Sequence, residues 1–376
     1  ACFAFSGALT DLAAAPVPMP KPEQPGSSER LPEPLFFKIA TGSPGGTYFP
    51  IGTAIAAIVS HPIGSERCRE DADVCGPLGM QAVAQNSDGS VRNILAVNDA
   101  AVASGLAQSN LVAEAVTGSG AFRMEGPQED IRVIARLYPE AVHLVVAARS
   151  DIADPTGLKG RSISVDRDGS GTQEYAMKIL RAFGLRPADL DLVELEALEA
   201  ADLVYTDDLD GFFFVGGAPV PAIEQLSGIG SARVVPIAGA ALDALAADSP
   251  YLEATTIPAG TYRNTEDIDT VGVHAVWIVN ANVSEDRVYD ITRALWNEAN
   301  RDILAGSHPA AGAVTPEAAI VNLPAPLHPG AERFYRDAGL FEVPPGAGAA
   351  AETDGATLPE PVAPAAGEAE PDDMAN

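Results

Sequence analysis

Short apolar runs alternate along the chain with segments in which apolar side chains recur every three or four residues. The runs predict strands and the recurring spacing predicts helices, because helical side chains return to one face about every 3.6 residues. The alternation predicts an α/β fold with a largely parallel sheet. Helical spacing occurs at 50–60, 90–98, 109–117, 172–183, 238–247 and 285–304. The strand-like runs are LFFKIA, MQAVAQ, AAVAS, IRVIARLY, VHLVVAA, SISV, GFFFV and TVGVHAVWIVN.

Both ends of the chain differ in composition from its middle. Residues 1–35 resemble an export-signal remnant followed by a flexible linker rich in Pro, Ser and Glu. Export is favoured, and lipidation of Cys2 is left open. Residues 343–376 are rich in Ala, Pro, Gly and acidic residues, and they are predicted to be a disordered tail because they have little apolar surface to bury.

The acidic composition narrows the range of partners. The 376 residues contain 23 Lys and Arg against 52 Asp and Glu, so the formal charge is 23 − 52 = −29. Such a charge argues against nucleic acid, which requires clustered Lys and Arg, and against an anionic membrane surface. No apolar run approaches the roughly 18 residues of a membrane span, so stable membrane insertion is not expected.

Cys68 and Cys75 lie in a polar segment, ERCREDADVCGP. No His flanks them closely, and their spacing is not a common zinc-binding one. A local disulfide is favoured over two free thiols, and it would fit an oxidising compartment. The spacing alone does not decide between the two.

Two segments share the order strand, Gly/Ser/Thr loop, helix. They are FKIATGSPGGTYFPIGTAIAAI and RSISVDRDGSGTQEYAMKILRAF. This likeness indicates two similar α/β lobes, although the general style of α/β proteins could also produce it.

The loop SPGGTYFP contains more small and hydroxyl residues than a turn requires, which favours a ligand role. It precedes a helix, whose first N–H groups attract anions, and Pro50 suits the first helical position. Ser170 and Gln173 match a capping box, so that loop either caps its helix or also contacts a ligand. Gln108 and Ser109 are equally open to both interpretations.

Recognised catalytic patterns are lacking. The sequence has no phosphate-binding GxxxxGK[ST] loop, no GxSxG nucleophile turn and no GxGxxG dinucleotide motif. Its five His form no metal-ligand spacing, and His143 and His274 are predicted to be structural because they lie within strand runs. We therefore predict binding rather than catalysis, with no cofactor and no metal.

Several motifs in order resemble the TAXI solute-binding proteins, the extracytoplasmic receptors of one class of TRAP transporters. They span about 36–342 and are GSPGGTYFPIG, CGPLGMQAVAQNSDGSVRN, GLAQSN, LYPEAVHLV, DGSGT, FFFVGGAPVPAI, TIPAGTY, ALWNE and PLHPGAERFYRDAGL.

The resemblance implies a periplasmic-binding-protein-like fold of type II, with a ligand cleft between two α/β lobes and crossover strands as the hinge. Lobe 1 would comprise 36–140 and 268–342, and lobe 2 would comprise 141–267. The ligand would be a small organic acid or amino acid such as glutamate, glutamine or 2-oxoglutarate. The protein would work in the periplasm and deliver this ligand to the membrane subunits of a TRAP transporter.

The resemblance also implies a set of ligand-binding residues. It comprises Gly46, Thr47, Tyr48, Ser87, Ser90, Gln108, Ser109, Tyr138, Glu140, His143, Ser170, Gly171, Thr172 and Phe214. Arg136 and Arg167 depart from the expected pattern, and either could pair with a ligand carboxylate, because an Arg fork matches it. The alternatives are a ligand-sensing domain, or an enzyme that uses Glu140 with His143.

Overall fold

The computed structural model describes residues 34–341, with the exception of Asp248. The predictions for Cys2, for the linker up to residue 33 and for the tail at 343–376 lie outside the described residues. Within the described part of the chain, no helix is long and apolar enough to cross a membrane.

Ten strands and eleven α-helices make up this part of the chain. The strands are β1 (Leu35–Ala40), β2 (Met80–Gln85), β3 (Ser104–Gln108), β4 (Ile131–Ala147), β5 (Ser162–Ser164), β6 (Asp191–Val193), β7 (Gly211–Gly216), β8 (Ala232–Val235), β9 (Glu253–Ile257) and β10 (Ile268–Asn280). The helices are α1 (Tyr48–Val59), α2 (Arg67–Glu70), α3 (Ser90–Asn98), α4 (Ser109–Thr117), α5 (Gly171–Ala182), α6 (Ala197–Thr206), α7 (Pro221–Gly228), α8 (Ala240–Ala247), α9 (Glu285–Trp296), α10 (Arg301–Ala305) and α11 (Pro329–Asp337).

The sheet consists of two half-sheets that share the long strand β4. The first half-sheet has the order β2-β1-β3-β10-β4, and the second has the order β6-β5-β7-β4-β8. In the first half-sheet, β1 lies between β2 and β3, and β10 comes next to β3. In the second, β5 lies between β6 and β7, and β4 comes next to β7. The two half-sheets therefore have the same order. The shared order is the structural counterpart of the likeness in sequence, and the α/β class is confirmed.

The prediction of a largely parallel sheet is wrong, because the sheet is mixed. Strand β1 pairs in parallel with β2 and β3, and β5 pairs in parallel with β6 and β7. Strands β4 and β10 are antiparallel to all their neighbours. Hydrophobic periodicity identifies a strand but carries no information about its direction relative to its neighbours.

The hydrophobic core is divided between the half-sheets. The largest cluster draws its buried residues from 37–138 and 275–335, and it includes Trp277 and Tyr335. Two further clusters draw on 141–273, one on each side of the second half-sheet, with Phe213 in one and Phe212 in the other. We call the elements around these cores the first half and the second half. The predicted lobe boundaries at 140/141 and 267/268 stay predictions.

Three predicted elements differ in detail from the structure. Strand β3 starts at Ser104, the last residue of the run AAVAS, because the run begins in the turn after α3, where Ala100 has a left-handed φ of 55°. Helix α1 starts at Tyr48, which places Pro50 third rather than first, where it still costs no helical hydrogen bond. The segment predicted as one helix at 285–304 is interrupted at Asn297, whose backbone is extended.

Cys68 and Cys75 form a disulfide with a Cα–Cα distance of 5.9 Å. It joins α2 to the residue that follows a 3-10 turn at Ala72–Val74. The predicted disulfide is therefore confirmed.

Candidate ligand-binding cleft

A cavity of about 450 Å³ lies between the two half-sheets. In the first half its walls are the loops that follow β1 and β2 and the end of β3, and in the second half they are the loops that follow β5 and β6 and the end of β7. Glu140 of β4 completes the wall. Ligands of open α/β sheets bind at this carboxyl edge, because the loops and helix starts converge there. The cavity is therefore the candidate site.

Helices from both halves begin at the cavity. Helices α1, α3 and α4 have the N-cap residues Thr47, Gly89 and Gln108, and none of these makes a side-chain cap hydrogen bond. In α5 the Ser170 hydroxyl accepts a hydrogen bond from Gln173 N at 3.0 Å. The N–H groups of a first helical turn lack intrahelical partners and carry partial positive charge, so they can bind an anion.

The glycines of the first loop lie against the second half. A Cβ on Gly46 would be 2.8 Å from Cζ of Phe214, and a Cβ on Gly45 would be 2.5 Å from Cγ of Leu198. The Thr47 hydroxyl donates to the carbonyl of Gly217 at 2.9 Å. The glycines thus allow a close approach of the two halves.

Other contacts also join the halves around the cavity. A Cβ on Gly171 would lie 2.0 Å from Oε1 of Gln108. Lys178 and Glu114 form an ion pair at 2.6 Å in which both side chains are largely shielded from solvent. With these contacts in place, the two halves touch beside the cavity.

Glu140 lies at the centre of the site, in the middle of β4. Its side chain is 2% exposed, and its Oε2 accepts a hydrogen bond from the Tyr48 hydroxyl at 3.0 Å. Burial raises the pKa of Glu140 to about 8, and the hydrogen bond from Tyr48 counteracts part of that rise. The other oxygen, Oε1, is buried and has no hydrogen-bond partner among the described residues.

Further charged groups lie on the cavity wall. Asp88, Asp166 and Glu196 are acidic, and Arg167 is the basic residue among the described lining residues. Burial raises the pKa of Asp166 to about 6. Arg167 approaches Asp88 at 3.9 Å and Glu199 at 4.0 Å, and its side chain is 48% exposed. Such loose surface ion pairs leave the guanidinium available to another anion.

A sequence model of the NMT1-like family matches residues 39–339, which is more than half of the chain. The chain belongs to the NMT1-like family.

Solved structures of low similarity match this NMT1-like chain as well. The periplasmic aliphatic sulphonate binding protein SsuA from Escherichia coli is 17% identical, with 73% of this chain and 79% of that chain covered and a TM-score of 0.40. A TctC solute binding protein from Polaromonas is 14% identical, with 73% and 88% covered and a TM-score of 0.40. The periplasmic binding protein BugD is 12% identical, with 82% and 98% covered and a TM-score of 0.48. At these values we infer no ligand from them.

Most of the residues predicted to bind ligand line the cavity of the NMT1-like chain. They are Gly46, Thr47, Tyr48, Ser87, Ser90, Gln108, Glu140, Ser170, Gly171, Thr172 and Phe214. Several of their hydroxyls already have protein partners. Ser87 donates to Thr41 O at 3.0 Å, and Thr172 accepts from Val215 N at 3.1 Å. These hydroxyls position the loops around the cavity.

Four predicted residues do not line the cavity: Ser109, Arg136, Tyr138 and His143. The Ser109 hydroxyl accepts from His274 N at 3.4 Å, within the first half. The guanidinium of Arg136 donates to Val321 O at 3.2 Å and contacts His274. Of the two arginines considered as carboxylate partners, only Arg167 lies at the cavity.

Tyr138 and His143 are buried next to the site rather than in it. The ring of Tyr138 packs against Gly217, where a Cβ would lie 2.9 Å from it. His143 lies 3.3 Å from Phe214 O through Nδ1 and 3.0 Å from the Tyr262 hydroxyl through Nε2. Burial lowers the pKa of His143 to about 4, so the ring is neutral, as expected for a structural histidine.

Sequence reasoning missed part of the lining. The additional residues are Gly42, Ser43, Pro44, Asn86, Asp88, Gly89, Asp166, Glu196 and Val215. All except Glu196 lie in or beside segments that were already singled out. Glu196 follows the three-residue strand β6, which had no strand signal in the sequence. In the described residues, no group of three or more potential metal ligands occurs.

Proposed function

We propose that the chain is an extracytoplasmic solute-binding protein that captures a small organic acid or amino acid in the cleft. The observation that carries this proposal is the convergence of helix starts from both halves on one cavity. Uncapped N–H groups suit a carboxylate, and the overall charge of −29 does not prevent its binding, because salt screens charges beyond about 8–10 Å.

Capture would proceed by hinge closure between lobes at 36–140 with 268–342 and at 141–267. Strands β4 and β10 connect the halves, and their pairing has a register irregularity between His274 and Val276. Such a break interrupts the ladder of hydrogen bonds where bending would be needed. A ligand that contacts both halves stabilises the closed form, because only differential affinity shifts an equilibrium.

The compartment, the ligand and the transporter partner are proposed from the resemblance to TAXI receptors. On this basis, the protein works in the periplasm and passes glutamate, glutamine, 2-oxoglutarate or a similar acid to TRAP transporter membrane subunits. Binding is favoured over catalysis because the one acid/base pair considered does not meet in the cavity. Glu140 lines it, whereas His143 is hydrogen-bonded within the second half.

A thermal-shift screen of small carboxylic acids tests this function, with the methyl ester of each acid as the matched control. A ligand at 100 times its dissociation constant should stabilise the protein by about 2.7 kcal/mol. The ester should give a smaller shift because it cannot present a carboxylate to the helix starts. Equal shifts for acids and esters, or none for any acid, would contradict the proposed ligand class.

A further inference from the structure

Two buried side-chain oxygen atoms of residues that line the cavity have no hydrogen-bond partner among the described residues. They are Oε1 of Glu140 and Oε1 of Gln108, and each side chain is only 2% exposed. Both residues line the cavity, one on β4 and the other at the start of α4. A buried acceptor without a donor costs free energy, so a ligand that occupies the cavity should bring N–H groups to these atoms.

An ammonium group meets this requirement better than any other common ligand group. It presents several donors, and its positive charge favours ionisation of the neighbouring Glu140 carboxyl group, whose pKa burial raises to about 8. The charge-assisted hydrogen bond that then forms is about twice as strong as a neutral one. A keto oxygen in the same place could accept a hydrogen bond from the Glu140 carboxyl group while that group keeps its proton, but it would leave Oε1 of Gln108 without a donor. The two atoms therefore discriminate between an amine and an oxygen.

The charges of the lining support the same assignment. Among the described lining residues, Asp88, Asp166 and Glu196 can carry negative charge beside the protonated Glu140, and Arg167 is the one basic residue. A ligand that carried only negative charge would meet this acidic wall, whereas an ammonium reduces the excess. The first-turn N–H groups of α1, which have no side-chain cap, offer a separate place for a carboxylate, so the cavity suits a ligand with both groups.

We propose that Glu140 and Gln108 form an ammonium subsite, so that the receptor selects acids bearing an amine over the same acids without one. This inference rests on the proposed function and refines its ligand class. It makes Glu140 the main specificity-determining residue of the cleft.

The test is calorimetric titration of pairs that differ at one position, an amino acid and its 2-oxo acid. Suitable pairs are glutamate with 2-oxoglutarate, alanine with pyruvate, and leucine with 4-methyl-2-oxopentanoate. The purified protein is first unfolded and refolded with its disulfide intact, which removes any retained ligand. For the pair that binds, we expect the amine to improve affinity about 10- to 100-fold.

The Glu140→Gln variant should remove most of this preference by weakening the amino acid and leaving the oxo acid unchanged or stronger. Glu298→Gln is the control, because Glu298 is 86% exposed and does not line the cavity. Equal or tighter binding of the oxo acids by the native protein would overturn the ammonium subsite and leave the receptor function intact. Binding of neither member of any pair would overturn both.

Discussion

At the scale of single residues, the glycines of the loop between β1 and α1 are important because they have no side chain. Gly46 lies against the tip of the Phe214 ring, and Phe214 is buried in a core of the second half. The φ of Gly46 is not in the left-handed region, so its own turn would accept an alanine. The glycine is required by the neighbouring half and not by the backbone.

Gly46→Ala should therefore weaken ligand binding while the protein still folds. Overpacking of this kind costs about 1–3 kcal/mol, and the cost applies when the halves are together. We expect affinity to fall roughly 10- to 100-fold, measured by calorimetric titration with the ligand found in the screen. Gly228→Ala is the control, because nothing lies within 4 Å of the position its Cβ would take. Unchanged affinity in the first variant would contradict this role of Gly46.

At the scale of elements, the disulfide stabilises a short segment that contributes little to the main cores. Cys68 and Cys75 form a small separate cluster with Val74. The chain next to them is tied to the rest of the first half by Asn300, whose side-chain amide donates to Val74 O at 2.8 Å. None of these residues lines the cavity.

The double variant Cys68→Ala/Cys75→Ala should lower the free energy of unfolding by about 2.5 kcal/mol, because the bond closes a loop of roughly eight residues in the unfolded chain. Urea unfolding measures this change, and reduction of the native protein should reproduce it. Ligand affinity should stay within about twofold of the native value. A large loss of affinity without a loss of stability would show instead that this segment acts on the cleft.

At the scale of the whole molecule, the titration of Glu140 couples stability to pH. Its carboxyl group has a pKa near 8 in the folded protein against an ordinary value of 4.5, because it is buried. Between these values the folded protein retains a proton that the unfolded chain has released. The contribution of Glu140 to stability is therefore present below about pH 4.5 and is lost as the pH rises toward 8.

Glu140→Gln should remove this dependence. The difference in free energy of unfolding between the native protein and the variant should shift in favour of the variant as the pH rises from about 5 to 8. His143 and His274, whose pKa values are lowered to about 4 by burial, cost stability as the pH falls below 6.5, but they are common to both proteins. A constant difference across this range would show that Glu140 is ionised throughout.

Much of the fold could be predicted because it depends on local pattern. Periodicity identified α5 and β7, composition and spacing favoured the disulfide, and the glycine-rich loop located the start of α1. The predicted helical segments did not include α6, α7 and α11, and other failures came from short or irregular pieces. Strand β6 has three residues, and the break at Asn297 comes from one extended residue inside a helical pattern.

By itself, the sequence determined the alternation of strands and helices, the similarity of the two halves and the loops that surround the cleft, because each follows from neighbouring residues. Only the tertiary structure decided which side chains meet there. By strand periodicity, one face of β4 is shared by Arg136, Tyr138 and Glu140. Of these three, only Glu140 lines the cavity. Residues two apart in a strand lie about 7 Å from each other, and the cavity opens only where β4 passes between the halves. The antiparallel pairing of β4 and β10 was likewise decided by the path of the chain.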